Sequence, residues 1–424
     1  MMARGGSPIW HPFTQHGLQP EMLEIADAKG AWLETADGRR LLDGISSWWV
    51  VTHGHCHPRI VAAIEAQARQ LDQVIFAGFT HEPAERLARG LVDLAPAGLA
   101  HVFFSDSGST SVEVALKMAL GYWRNIGEPR RRIIALEHGY HGDTVGGMSV
   151  GARGVFSAAY EPLLFDVARI PFPVAGNEQA TIDAFAAACA AEPVAALIVE
   201  PLILGAGGML IYEPSVLREL KRVAEAHGAL FIADEVMTGW GRTGQLFACS
   251  AAGVAPDILC LAKGITGGSL PLAVTLCTAP IFEAHRSADR TKTFFHSSSY
   301  TANPIACAAA VANLEIWKTE PVAERIAALS AAHAERLAPF RTDDRFTGVR
   351  QLGTIAALDL KVADAGYLAG AGPRLTEFFI DQGVLLRPLG NTIYVMPPYC
   401  ITPGELDTIY AAIAEAPDAL ERRA

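Results

Sequence analysis

Six short, nearly continuous apolar runs, separated mostly by helical patterns, restrict the fold more than any other feature of this chain. They are HVFFSD from His101, RIIALE from Arg132, VAALIVE from Val194, ALFIAD from Ala229, DILCLA from Asp257 and LAVTLC from Leu272. Runs without alternation are buried on both faces, so they predict an α/β fold with a mainly parallel central sheet sandwiched by helices. Between two of them, residues 215–226 carry Leu217, Leu220 and Ala224 on one helical face, and Gly228 stops the helix before the next strand. Nearer the start, residues 31–43 (AWLETADGRRLLD) set Asp37-Gly38 between two partly alternating runs, which predicts a hairpin with a tight primed turn. After Asn303 a helical pattern extends to about Leu337, followed by shorter strands (354–360, 385–387, 392–396) and helices (374–382, 405–416). The expected organisation is a large domain over 59–310 and a smaller α+β lobe built from an N-terminal segment (1–58) and a C-terminal domain (311–424).

Composition narrows the function classes. Half of the 424 residues (50%) are hydrophobic, enough for a large buried core and against disorder. Lys+Arg 34 against Asp+Glu 45 gives a formal net charge of −11, a surface that on average repels nucleic-acid phosphates and anionic lipid. No run approaches the length of a spanning helix, and MMARGGSPIWHPF has no apolar signal core, so a cytoplasmic location and no membrane partner are expected. Seven scattered cysteines without a C-x-x-C pair fit reduced thiols.

In open α/β sheets ligands bind beyond the carboxyl ends of the strands, so the residues ending each run are the first candidates. One run leads into Ser105-Asp106-Ser107-Gly108-Ser109 and then a helix, where Thr110 and Glu113 form a T-x-x-E capping pattern. Free amides at a helix start make an anion site sized for one phosphate; a plain capped turn is the alternative. The next ends in EHGYHGD, which holds Tyr140 and two histidines over the sheet edge. His138 and His141 have no third ligand at matching spacing, and no metal is expected. Asp234 ends a buried run and needs a cationic partner to stay ionised. Lys263 ends another and is followed by three glycines within five residues; it is either a Schiff-base nucleophile or a surface lysine opening a loop. Residues 239–244 (GWGRTG) match the dinucleotide pattern G-x-G-x-x-G, but the segment to Asp257 is too short for a crossover helix, and a lysine ends the next strand. Anion cradle, aromatic ring, carboxylate and lysine at one edge match the phosphate, ring face, pyridinium nitrogen and aldehyde of pyridoxal 5'-phosphate.

With IADEVMTGWGRTGQLFA and the lysine of LAKGITGG on the page, the sequence resembles the class III, fold type I, pyridoxal-phosphate aminotransferases along nearly its whole length. The resemblance implies that Asp234 meets the pyridine nitrogen, Lys263 carries the cofactor aldehyde and Tyr140 packs by the ring. It implies phosphate contacts at Gly108 and Ser109, and from the stretch HSSSYTANP a reach by Ser298 and Ser299 to the phosphate of a neighbouring subunit. The family often has Pro-Thr or His-Thr where this chain has that serine pair. A homodimer with active sites at the interface follows from the same resemblance.

Within the class, IWHPF, DGISSWWVVTHGHCHP and LLRPLGNTIYVMPPY resemble the biotin-pathway branch. That implies conversion of 8-amino-7-oxononanoate to 7,8-diaminononanoate with S-adenosylmethionine as amino donor, and substrate contacts from Phe13, Trp48, Tyr140, Lys263, Ser297, Arg387 and Tyr394. A long apolar keto acid needs an aromatic channel (Trp48, Trp49, Tyr140) and a distant guanidinium for its carboxylate (Arg387); core packing and a surface salt bridge are the alternatives. Adenosylmethionine-using members commonly have Tyr after IWHP where this chain has Phe13, as some lysine-using members do, so lysine stands as the second donor. A broad ω-amino-acid aminotransferase is the rival inside the class, and a phosphosugar binder or a silent dimerisation scaffold the rivals outside it.

Overall fold

The computed structural model describes residues 7–19, 21–363 and 365–422. Strands β1 (Ile25–Lys29), β2 (Trp32–Thr35) and β3 (Arg40–Asp43) form an antiparallel meander. The hairpin expected at Asp37-Gly38 joins β2 to β3, with Gly38 at φ 84°, but the linking loop spans residues 36–39 and the Thr35 hydroxyl accepts from the Arg39 amide. The central sheet takes β4 (Leu99–Ser105), β5 (Arg132–Leu136), β6 (Ala168–Ile170) and β7 (Val194–Val199). A small hairpin, β8 (Ile203–Leu204) and β9 (Leu210–Ile211), precedes its remaining strands β10 (Leu230–Asp234), β11 (Ile258–Leu261) and β12 (Ala273–Thr278). Its order is β4-β12-β11-β10-β7-β5-β6, parallel except for β12, which runs against both neighbours.

The unbroken apolar runs have the predicted cause: β7, β10 and β11 are buried at every residue. Alternate side chains serve opposite faces. Phe231 and Ala233, with Leu197 and Leu259, pack under Leu87 and Leu91 of helix Glu82–Leu94 and Leu217, Leu220 and Ala224 of helix Pro214–Ala226. Leu230 and Ile232, with Ile133 and Ile258, pack under Val112, Ala115 and Trp123 of helix Gly108–Asn125. Strand β6 escapes the pattern because it is a three-residue edge strand.

The remaining strands are β13 (Phe346–Leu352), β14 (Ile355–Leu360), β15 (Val384–Leu385) and β16 (Thr392–Val395). β13, β14 and β16 form an antiparallel sheet, whereas β15 pairs in parallel with β3 and so stitches the C-terminal part to the N-terminal meander. Leu42, Ile45 and Trp49 share one core with Leu358, Phe379 and Ile393, which makes the smaller α+β lobe from both ends of the chain. The helical stretch after Asn303 is two helices, Pro304–Thr319 and Val322–Leu337, because Pro321 has no amide hydrogen to continue the first. β13 was not expected: its residues TGVRQL are mostly polar and only part-buried, and carry no apolar run. No described helix is long and apolar enough to cross a membrane.

Candidate active site

β4, β5, β7, β10 and β11 point the same way, so their carboxyl ends share one edge, and a cavity of about 610 Å³ opens there. At one end of it β4 turns through Asp106 and Ser107 into the helix starting at Gly108. The capping box is Ser107 with Thr110: the Ser107 hydroxyl accepts from the Thr110 amide (3.2 Å) and the Thr110 hydroxyl accepts from the Ser107 amide (3.0 Å). The helix therefore begins three residues before the T-x-x-E pattern suggested, and Glu113 instead accepts a bond from the Gly146 amide (2.5 Å). A helix start has amides without intrahelical partners, and Gly108 and Ser109, its first two residues, line the cavity. A Cβ on Gly108 would stand 2.5 Å from Val236 Cγ1, and one on Gly142, already at φ 113°, only 2.1 Å from Ser109 Oγ. Ser109 Oγ accepts the Asp143 amide (3.1 Å), tying this cradle to the loop after β5.

Asp234, the last residue of β10, is buried with Oδ2 2.7 Å from His141 Nδ1 and Oδ1 accepting the Val236 amide (3.1 Å). Burial would push the imidazole towards neutrality, but the hydrogen bond and charge of Asp234, helped by Glu200, outweigh it and raise the His141 pKa. This is the cationic partner that Asp234 required, supplied by a histidine weighed above as a metal ligand. Glu200, just past β7, is a second buried carboxylate; it accepts the Tyr140 and Gly205 amides (2.9 Å each), and burial pushes its pKa up to about 7. Sequence reasoning passed over Glu200, although its place at the end of VAALIVE is the same strand-end signal that picked out Asp234. Tyr140 is held by that bond at the cavity wall, with its phenol pKa raised by burial and by Asp143.

Lys263 follows β11 on a short 3-10 turn, Lys263–Thr266, at φ 48°. Its Nζ lies 4.9 Å from the centre of the Trp49 ring, and Trp49 Nε1 donates to Tyr394 Oη (3.0 Å). Burial lowers its pKa to about 8, against the pull of Asp234 and Glu200. It lines the cavity and is no surface lysine. The glycines of KGITGG are steric: a Cβ on Gly264 would meet Trp240 Cβ at 2.8 Å, and on Gly268, at φ 90°, the Val50 carbonyl at 2.7 Å. The GWGRTG turn serves the same wall: Arg242 is fully buried, donating to the carbonyls of Pro397 and Val51 (3.0 Å each).

The mouth is aromatic. Phe13 and Trp48, each nearly half exposed, sit 5.6 Å apart, and Phe13 also meets Phe156 at 6.0 Å. Arg387 stands 5.2 Å over the Trp48 ring and donates to the Phe13 carbonyl (3.2 Å), and among the described residues it makes no ion pair. Phe13, Trp48, Tyr140, Lys263, Arg387 and Tyr394 thus line one cavity with Gly108, Ser109 and Asp234. Ser297, Ser298 and Ser299 do not: the Ser298 hydroxyl is bonded to Asp106, which does line it, and the Ser299 carbonyl accepts from Gln73 Nε2 (2.6 Å).

An anion-binding helix start, a buried carboxylate and a low-pKa amine in one cavity fit pyridoxal phosphate, and the known relatives use that group. The profile of the aminotransferase class-III family matches residues 13–416. The adenosylmethionine-8-amino-7-oxononanoate aminotransferase of Synechococcus elongatus is 51% identical over 97% of this chain and 98% of its own. The crystal structure of the enzyme of that name from Methanocaldococcus jannaschii superposes with a TM-score of 0.91 at 34% identity, covering 96% of this chain and 97% of that one. An amine transaminase from an uncultivated Pseudomonas species, in its PLP-bound form, gives 0.91 at 36% identity over 98% and 99%. With the family profile spanning the sheet, the cavity and both parts of the smaller lobe, this chain belongs to the class-III aminotransferases and is a pyridoxal-phosphate enzyme.

Proposed function

We propose that the chain transfers the amino group of S-adenosylmethionine to 8-amino-7-oxononanoate, giving 7,8-diaminononanoate for biotin biosynthesis. The observation that carries this reading is the 51% identity to the Synechococcus enzyme over nearly the full length of both chains. The cavity accords with it: an aromatic mouth for a long apolar acid, and Arg387 on its wall, without an acidic partner among the described residues, to meet a distal carboxylate.

When bound, the cofactor supplies an aldehyde and an electron-withdrawing ring. The chain's residues do the rest. Lys263 Nζ, kept partly unprotonated near neutral pH by burial, would hold the aldehyde and, once released, would serve as the base that takes up and returns the substrate's proton. Asp234, hydrogen-bonded to His141, would keep the ring nitrogen protonated. Gly108 and Ser109, which line the cavity at the helix start, would take the phosphate, and Tyr140 would wall the ring. Phe13, Trp48 and Tyr394 exclude water along the substrate path, and Arg387 orients the acid.

The active unit is a cytoplasmic homodimer in this reading. Ser297, Ser298 and Ser299 lie outside the chain's own cavity, and the exposed Ile75, Phe79, Phe295 and Tyr300 around them make an apolar face suited to a second copy. From there the three serines reach the partner's cofactor phosphate and substrate. The two cores on either face of the central sheet, and the separate one shared by both chain ends, support the division into 59–310 and 1–58 with 311–424.

Lysine as donor is the second reading, favoured by Phe13, whose ring lacks the hydroxyl common in adenosylmethionine users. One hydrogen bond, worth about 0.5 to 1.5 kcal/mol, is too small to decide a donor. The test is to mix the loaded enzyme with each donor separately and follow the loss of the cofactor's visible absorbance. Rapid loss with adenosylmethionine is expected; loss with lysine alone would reverse the assignment.

A further inference from the structure

Behind the wall that carries Lys263 lies a polar pair that none of these roles uses. Asn313 sits fully buried in helix Pro304–Thr319, among alanines and leucines. A buried amide must have its hydrogen bonds filled. Its Nδ2 donates to the carbonyls of Gly264 and Ile265, 3.0 Å each, and its Oδ1 lies 2.8 Å from His53 Nε2. With both amide protons spent on carbonyls, Oδ1 can only accept. His53 must therefore carry a proton on Nε2, and the burial that pushes its pKa down to about 4 disfavours a second one on Nδ1.

Gly264 and Ile265 are the two residues after Lys263 in its turn. Lys263 itself adopts φ 48°, a left-handed conformation that residues with a Cβ avoid and that persists only where the surroundings over-determine it. The turn is boxed in by Trp240, Thr52 and Val50 through contacts that exclude side chains at Gly264 and Gly268. Within the turn the Gly264 carbonyl also accepts the Gly267 amide (2.9 Å), and the Asn313 amide adds a clamp from the helix behind that grips the Gly264 and Ile265 carbonyls together. We propose that Asn313, itself aligned by His53, is the positioning residue that holds the turn in which Lys263 keeps its left-handed backbone and from which its amine enters the cavity. The proposal rests on the reading of Lys263 as the amine that carries the cofactor aldehyde.

The test uses the full-length enzyme freed of cofactor, mixed with pyridoxal phosphate and cyanoborohydride, with the labelled peptide mapped and its rate of appearance measured. Asn313→Leu removes the donors at similar volume. It should fold cooperatively but label Lys263 about tenfold more slowly, with kcat reduced in proportion and the KM for the keto acid little changed. Two variants at the second member give an independent arm that needs no change at Asn313: His53→Gln keeps a donor and should label near the wild-type rate, whereas His53→Phe should be slowed. Wild-type labelling rates in both Asn313→Leu and His53→Phe, or, if Asn313→Leu fails to fold, equal rates for His53→Gln and His53→Phe, would overturn the proposal. Label on a different lysine in the wild type would instead remove the reading of Lys263, a result recognisable before any variant is made.

Discussion

The Asp234 carboxylate and the His141 imidazole meet at 2.7 Å, oxygen Oδ2 to nitrogen Nδ1, both closed off from solvent. The carboxylate can accept only from a protonated Nδ1, and the raised pKa of His141 keeps it there. The two groups balance each other, so the Asp234 carboxylate lines the cavity without being an unpaired buried ion. Asp234→Asn should fold, because the amide can still meet His141, yet slow the chemical step about 100-fold, the scale for losing one preorganised charge. Single-turnover kinetics measure this. Near-normal turnover would mean that ring protonation is controlled elsewhere.

Lys263 should titrate low. An ordinary lysine changes charge near 10.5, whereas burial brings this one to about 8. Only the neutral amine attacks an aldehyde, so below that value reductive alkylation of the cofactor-free enzyme should rise about tenfold per pH unit and level off above it. Peptide-resolved labelling across pH reads the profile. A rate at Lys263 still climbing at pH 10 contradicts the depressed pKa.

Arg387→Ala should raise the KM for the keto acid roughly 10- to 150-fold, the loss of about 1.5 to 3 kcal/mol for a charged hydrogen-bond pair. The donor half-reaction is the internal control. If the wild type uses the keto acid and its methyl ester equally well, the arginine does not read the carboxylate.

Gly142→Ala should loosen the phosphate cradle. The new methyl would stand 2.1 Å from Ser109 Oγ, and φ 113° is costly for alanine, so Ser109 or the loop must move. A loss of about 1 to 3 kcal/mol is expected, visible as a lower melting temperature and weaker retention of pyridoxal phosphate on dialysis. Unchanged retention would show that the cradle tolerates displacement of Ser109.

The buried strands of the central sheet other than β6, the helix face of residues 215–226 and the two strand-end groups Asp234 and Lys263 were legible in the sequence because each is a local matter. An apolar run reports burial on both faces, and covalent continuity puts the next residue at the sheet edge. The glycines around Lys263 were equally plain, although the Trp240 and Val50 contacts that demand them were not. Tertiary packing decided everything that joins distant positions. His141 meets Asp234 across 93 residues, Asn313 reaches Gly264 across 49, Arg387 touches Phe13 across 374, and β15 closes on β3 from the far end of the chain. Periodicity states which face of an element is apolar but not which neighbour that face meets, and such a distance depends on the register of whole helices and strands. For the same reason the sequence could reject a metal at His141 for want of a third ligand, but could not name the carboxylate of Asp234 as its partner.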